Sequence, residues 1–252
     1  MHAVTLPSWP DFLLLVPGMI FHRHKAIFLH IGKTAGSAIE RYFVPGPRYP
    51  MVANRQLLHG YDKVLGIYLQ HASLATTRAV VGTSTFERSF TFSIVRDPYA
   101  RLASVFNYNY KQHMKTFGSF ETFVRNLPRL ATSERALRGA HPIPQIRYTH
   151  QDGKQALDFI GKFEQLDVAM SELEKRMNLD EPVRLPPPKP RRVLPEHAAT
   201  MASYDDEMIA IMQEVYREDF DLLGYPDTPI ASVRQRVPSA AFLRFIGWPR
   251  QT

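Results

Sequence analysis

A chain of 252 residues with 44% apolar side chains is long enough for one α/β domain or two small ones, and apolar enough for a real core; a single domain is expected. The absence of cysteine excludes disulfides, thiolate metal sites and cysteine nucleophiles, and leaves the compartment open. A net charge of +7 favours an anionic partner: a nucleotide, a sulfated or uronic glycan, a nucleic acid or an anionic membrane surface.

The first apolar run, Phe12–Val16 continued by Met19–Phe21, is broken by Pro17-Gly18 and falls far short of a membrane span. No cationic segment precedes it and Asp11 sits at its edge, so it does not read as a signal peptide. It reads as an N-terminal arm packed on the domain, with contact to a membrane or a lipid-linked acceptor as the alternative; cytoplasmic residence is the expectation. Ala26 to Ile31 follows as a strand and runs into a loop of small residues with one lysine, Gly32-Lys33-Thr34-Ala35-Gly36-Ser37-Ala38. Strand, glycine-containing turn and helix start set backbone N–H groups around an anion, and a lysine adds a point charge. A triphosphate-binding P-loop, however, reads G-x-x-x-x-G-K-S/T. Here Lys33 directly follows Gly32, and Gly36-Ser37 come later, an order that does not suit an ATPase.

Farther along, Pro45 to Pro50 reads as a turn and Ala79–Val81 as a short buried strand. Phe90–Val95 is a clear strand ended by Arg96-Asp97-Pro98, where Asp97 would cap a helix running through Tyr110. Lys111–Lys115 reads as a connector, and Phe117 to Leu137 as helical with basic residues on one face. A third strand, Leu157–Phe163, leads into a helix from Asp167 to Asn178 with Val168, Leu173 and Met177 at helical spacing. The proline-rich stretch Leu185–Pro195 should be an extended loop. Helix resumes from Tyr204 to Phe220, and Gly224 stops it. Strand-like and helical segments thus alternate, as in an α/β fold whose central, mostly parallel sheet is flanked by helices. There are no internal repeats.

Arg96 ends a strand, where ligands of α/β sheets bind, and Ser104 lies about two helical turns on, able to face the same side. Planar guanidinium donors and a hydroxyl suit a second phosphate. The pair of motifs, His30-Ile-Gly-Lys33-Thr-Ala-Gly-Ser37 and Arg96-Asp-Pro-Tyr-Ala-Arg101-Leu-Ala-Ser104, resembles the PAPS-dependent sulfotransferases, in the branch with bacterial and uronyl 2-O- and chondroitin-type carbohydrate sulfotransferases. Gly161–Leu166 and Tyr216–Tyr225 extend the likeness, which spans roughly Lys25 to Tyr225. Gly32 departs from it, since proline is usual there.

The resemblance implies a P-loop-like three-layer fold over a single domain, 1–252, with its core at about 25–225. It implies that Gly32 to Ala38 holds the 5′-phosphosulfate of 3′-phosphoadenosine 5′-phosphosulfate (PAPS) and that Arg96 and Ser104 hold the 3′-phosphate. Lys33 would stabilise charge on the departing phosphate. Such transfer calls for no metal. The base that deprotonates the acceptor is expected to be His71, in a His-Ala-Ser segment like the family's; His30, His59 and Glu87 or another acid are the alternatives, and His141, before Pro142, is a candidate to bind the acceptor instead.

For the acceptor, Arg125, Arg129, Arg135, Arg138, Arg147, Lys189, Arg191 and Arg192 are candidates to line an acidic-glycan groove. Pro142–Gln145 and the proline-rich loop are candidates to frame its opening. The function expected is sulfuryl transfer to a hydroxyl on a saccharide or glycoconjugate, with no nucleic-acid partner. An ATP-dependent kinase and a non-catalytic nucleotide- or glycan-binding protein are the rivals.

Overall fold

The computed structural model describes residues 18–44, 53–132, 142–185 and 198–229. Residues 1–17 of the expected N-terminal arm (1–24), the Pro45–Pro50 turn, nearly all of the proline-rich loop and residues 230–252 of the C-terminal tail (226–252) lie outside these residues; the described part of the arm, Met19–Phe21, is buried in the core. The fold is mixed α/β, built on a four-stranded sheet. Strand β1 (Ile20–Phe21) pairs antiparallel with β2 (Ala26–Phe28). Helix α1 (Gly36–Phe43) and a hairpin, β3 (Tyr61–Asp62) and β4 (Ile67–Tyr68), come next. Helices α2 (Leu74–Val81) and α3 (Thr83–Glu87) then lead to β5 (Phe90–Val95), which lies parallel to β2 with Phe28 opposite Phe92. Among the described residues five helices follow: α4 (Pro98–Tyr108), α5 (Tyr110–Phe117), α6 (Phe120–Arg125), α7 (Leu127–Leu130) and α8 (Ile146–Thr149). A small ribbon, β6 (His150–Gln151) with β7 (Lys154–Gln155), precedes β8 (Phe159–Lys162), which lies parallel to β5. Helices α9 (Leu166–Met177), α10 (Asp206–Val215) and α11 (Arg217–Leu223) complete the described chain.

All of β2 and nearly all of β5 are buried, the continuous burial expected of strands inside a parallel sheet. Ile27, Phe28, Phe92 and Ile94 pack with Ile39 of α1, Leu74 of α2, Phe86 of α3 and Met170 and Leu173 of α9. Each such side chain removed from water contributes roughly 1.5–3 kcal/mol. Gly161 is what lets α9 approach: a Cβ there would stand 2.6 Å from Ala169 and 2.7 Å from Ile94. A second core joins Tyr99, Leu102 and Phe106 of α4 to Phe123 of α6, Met212 of α10 and Phe220 of α11.

Several local expectations are corrected. Ala79–Val81 is the last turn of α2, because Ser73 caps that helix through the Thr76 N–H and three apolar residues cannot outweigh a capped helix closed by Gly82 at φ 83°. Lys111–Lys115 belongs to α5: its His113 is buried with ring centroids 5.5 Å from Phe106 and 4.9 Å from Phe123, an anchor no local propensity reveals. Val168 is 62% exposed, and the inner face of α9 is Ala169, Met170 and Leu173. The C-terminal helix breaks at Tyr216, and Gly224 closes its second part in the left-handed conformation. Strand Phe90–Val95 and the Asp97 cap, whose carboxylate accepts the Ala100 N–H at 2.8 Å, are as the sequence predicts.

Because β2, β5 and β8 run parallel, the segments after them gather at one edge of the sheet: the loop after Phe28, Arg96 after Val95, and Phe163 after Lys162. That edge is where ligands of α/β sheets bind.

Candidate functional site

The Gly32–Gly36 loop owes its shape to an alternation of backbone hand. Lys33 (φ 73°) and Ala35 (φ 71°) are left-handed, whereas Thr34 and Gly36 are not. Alternating hands turn successive N–H groups toward a common centre, an anion-binding nest. Two non-glycine residues at positive φ are strained by about 1–2 kcal/mol each, so the surroundings must hold them. Thr34 is fully buried and its Oγ1 donates to the Ile31 carbonyl at 2.8 Å. Arg101 Nε donates to the Gly32 carbonyl at 3.2 Å, and Arg96 Nη1 to the Lys33 carbonyl at 3.3 Å. Gly36 is obligatory for another reason: a Cβ would fall 1.9 Å from the His30 ring. Ser37 is exposed on the first turn of α1, and its carbonyl accepts from Arg41.

Helix α4 meets the loop along one stripe. Arg101, Ser104 and Tyr108 are spaced i, i+3 and i+7, which places them on one helix face. The first of them reaches Gly32, and the Tyr108 ring lies 3.9 Å from Lys33 Nζ, so Ser104 stands between two loop contacts. The structure thereby brings Arg96 to Lys33, through the Nη1 bond to its carbonyl, and sets Ser104 on the α4 stripe between the two residues that touch the loop, although their spacing in the chain is wide.

Arg96 is held from three directions. Its backbone N–H donates to Gln145 Oε1 at 2.9 Å, and its carbonyl accepts from Gln145 Nε2 at 2.7 Å. The guanidinium lies 4.3 Å over the Phe163 ring. Its Nε is buried with no hydrogen-bond partner among the described residues, a costly arrangement for a protonated donor. Gln145 is fixed in turn by Asp219, whose Oδ2 accepts its backbone N–H at 2.9 Å while Oδ1 accepts from Ile146 at 2.9 Å. Burial pushes the Asp219 carboxyl up to about 6 despite these donors and the nearby Arg101. The segment expected to frame an acceptor opening, Pro142–Gln145, therefore serves the arginines: Ile143 accepts from Arg101 Nη1 at 3.1 Å, and Pro142 accepts from the Tyr216 hydroxyl.

His71 ends a short turn between β4 and α2. Its Nδ1 is 3.1 Å from the His30 carbonyl, which can only accept, so the neutral ring carries its proton on Nδ1 and its lone pair on Nε2. Burial above all lowers its pKa from 6.5 to about 4, opposed by the hydrogen bond to the His30 carbonyl and aided by the charges of Arg101 and Lys33, which also marks it as their neighbour. The His30 and His71 rings are 4.5 Å apart, and His30 stacks on Phe28 at 5.5 Å. Of the other bases considered, His59 faces Glu40 at 3.8 Å. Glu87 is exposed just before β5, at the opposite end of that strand from Arg96. His141 lies outside the described residues.

Among the basic residues considered for an acceptor, Arg125 is engaged by Glu121 at 2.6 Å and Glu207 at 2.7 Å, while Arg129 and Arg147 are exposed. Arg135, Arg138, Lys189, Arg191 and Arg192 lie outside the described residues. The sequence carries no sign of the parts played by Arg101, Tyr108 and Asp219, and it points to Gln145 only as part of the segment framing the acceptor opening. Arg101 was inside the quoted motif. Gln145 and Asp219 are 49 and 74 residues from their partners, with no periodic signal to expose them.

Comparison with curated proteins gives no match, and neither does comparison with solved structures. The model of the sulfotransferase family matches residues 18–226, which takes in the loop, the Arg96 segment, the Gln145 clamp and the Asp219 helix. With most of its length inside that match, the chain belongs to the sulfotransferase family.

Proposed function

We propose that this transferase moves a sulfuryl group from PAPS to an acceptor hydroxyl on a saccharide or glycoconjugate, within a single domain of P-loop-like three-layer build. The observation that carries the reading is the loop itself: a nest of alternating hand whose Lys33 and Gly32 carbonyls are pinned by Arg96 and Arg101. The N–H groups of Gly32 to Ser37 and the Lys33 ammonium face the 5′-phosphosulfate, while Ala38, whose N–H donates to the Ala35 carbonyl at 2.8 Å, closes the cradle as the start of α1. Arg96, with its buried Nε in want of an acceptor, and Ser104 take the 3′-phosphate.

In the reaction the acceptor oxygen forms a bond to sulfur as the bond from sulfur to the 5′-phosphate oxygen breaks. The acceptor proton passes to His71 Nε2, and the electron pair of the broken bond stays on the phosphate, where Lys33 and the loop amides meet it. His71 is neutral at pH 7 and presents the right nitrogen because Nδ1 is committed to the His30 carbonyl. A general base of this kind contributes about 10²–10⁴ in rate.

The test is transfer of radiolabelled sulfate from PAPS to a panel of glycosides, polysaccharides and simple alcohols. Wild type should label a glycoside; Lys33→Ala and His71→Ala should each lower the rate at least 100-fold. Full transfer by either variant would sink the mechanism, and an inert wild type across the panel would sink the function.

A further inference from the structure

We propose that Tyr108 is the acceptor-stacking surface of this site, and that the acceptor it takes presents the flat apolar face of a pyranose ring. The proposal rests on the reading of Lys33 as the residue at the transferring group, and it extends that reading to the second substrate.

Place is the first argument. Lys33 Nζ sits over one face of the Tyr108 ring, 3.9 Å from its centroid, so a group resting on the rest of the ring is a ring's thickness from the ammonium and what it holds. Exposure is the second. Tyr108 is 42% exposed even with the lysine against it. Val64, Val168 and Leu222 are the other exposed large apolar residues among those described, and they sit on a hairpin turn and on α9 and α11, whereas Tyr108 touches the loop. Scattered apolar residues need no explanation; one in contact with the reacting centre does.

Rigidity is the third. Tyr108 closes the α4 stripe that Arg101 anchors to Gly32, and the helix breaks at the next residue, Asn109, with ψ at 37°. The ring is thus carried by a fixed element with two side-chain torsions, which suits a contact surface. Chemistry is the fourth. A sugar offers an apolar C–H face for the ring, and a rim hydroxyl beside that face finds a polar group in the tyrosine hydroxyl. An alkyl chain or a plain aryl group uses only the first of these.

The experiment is saturation-transfer NMR of wild type, Tyr108→Ala and Tyr108→Trp with methyl pyranosides, a simple phenol and an alkanol, run with and without 3′,5′-ADP. A pyranoside should bind wild type, bind Tyr108→Ala about tenfold more weakly, and bind Tyr108→Trp within about threefold of wild type. Affinity for 3′,5′-ADP should change less than about fivefold in both variants, since a partly exposed cation–π contact is weak. Preference for the phenol or alkanol, no pyranoside binding, or equal loss in the Trp and Ala variants would overturn the proposal. Unchanged pyranoside binding in Tyr108→Ala would do so as well. If pyranoside binding depends on Tyr108 while Lys33→Ala leaves 3′,5′-ADP affinity intact, the stacking surface stands and the donor reading falls.

Discussion

Gly36 has no room for a methyl group, because the His30 ring occupies the space its Cβ would take, at 1.9 Å. Gly36→Ala should push the ring or the loop aside, destabilise the protein by about 1–3 kcal/mol and weaken 3′,5′-ADP at least tenfold in calorimetric titration. Shrinking the intruding ring in the double variant with His30→Ala should restore part of that affinity; no restoration would mean the glycine is needed for something other than space. His71 is read the same way, from its surroundings. Its ring titrates at 6.5 when unfolded and about 4 when folded, so between those values the unfolded chain holds more protons. Its share of stability is complete above pH 6.5 and is lost as the pH falls toward 4; His71→Gln should flatten that part of the denaturation profile. For catalysis, kcat/KM should show no acid limb near 6.5 and should decline only toward pH 4. A limb near 6.5 would assign the base elsewhere.

At the scale of elements, the edge of the sheet that carries the loop and Arg96 is braced by α11. Asp219 on α11 caps α8 and fixes Gln145, and Gln145 pairs with both backbone groups of Arg96 much as a neighbouring strand would. Gln145→Leu strands a buried N–H and a buried carbonyl, at about 1–3 kcal/mol each. For a chain of this size each kcal/mol is worth roughly 2–4 °C in melting temperature, so a fall of about 5–15 °C is expected by calorimetry. A change under 2 °C would show that the clamp is ornamental.

These elements also mark how far the sequence could be read. Strand β5, the Asp97 cap and the Gly224 stop announce themselves through local chemistry: a continuous apolar run, a carboxylate before proline, a glycine able to take positive φ. The loop's small residues and its lysine were visible for the same reason. Helix α5 was hidden because its anchor is the contact of His113 with Phe106 and Phe123, and the clamp because its members meet only after folding. The end of α2 misled because β-branched residues at a helix end look like a strand until the Ser73 cap is counted.

Taken whole, the molecule is a basic protein of net charge +7 that concentrates Lys33, Arg96 and Arg101 at one edge of a parallel sheet and turns a backbone nest toward the same place. Such a field draws anions and weakens with salt, so affinity for 3′,5′-ADP should fall steadily as ionic strength rises. The central claim is that two phosphate positions, not one, define the donor site. Calorimetric titration with 3′,5′-ADP, 5′-AMP and magnesium-ATP tests it most directly, in wild type and in Arg96→Ala. Wild type should bind 3′,5′-ADP at least about tenfold more tightly than the other two, as a charge-assisted hydrogen-bonded pair is worth, and Arg96→Ala should abolish the advantage over 5′-AMP. Equal binding of 3′,5′-ADP and 5′-AMP by the wild type, or tighter binding of magnesium-ATP, would contradict it.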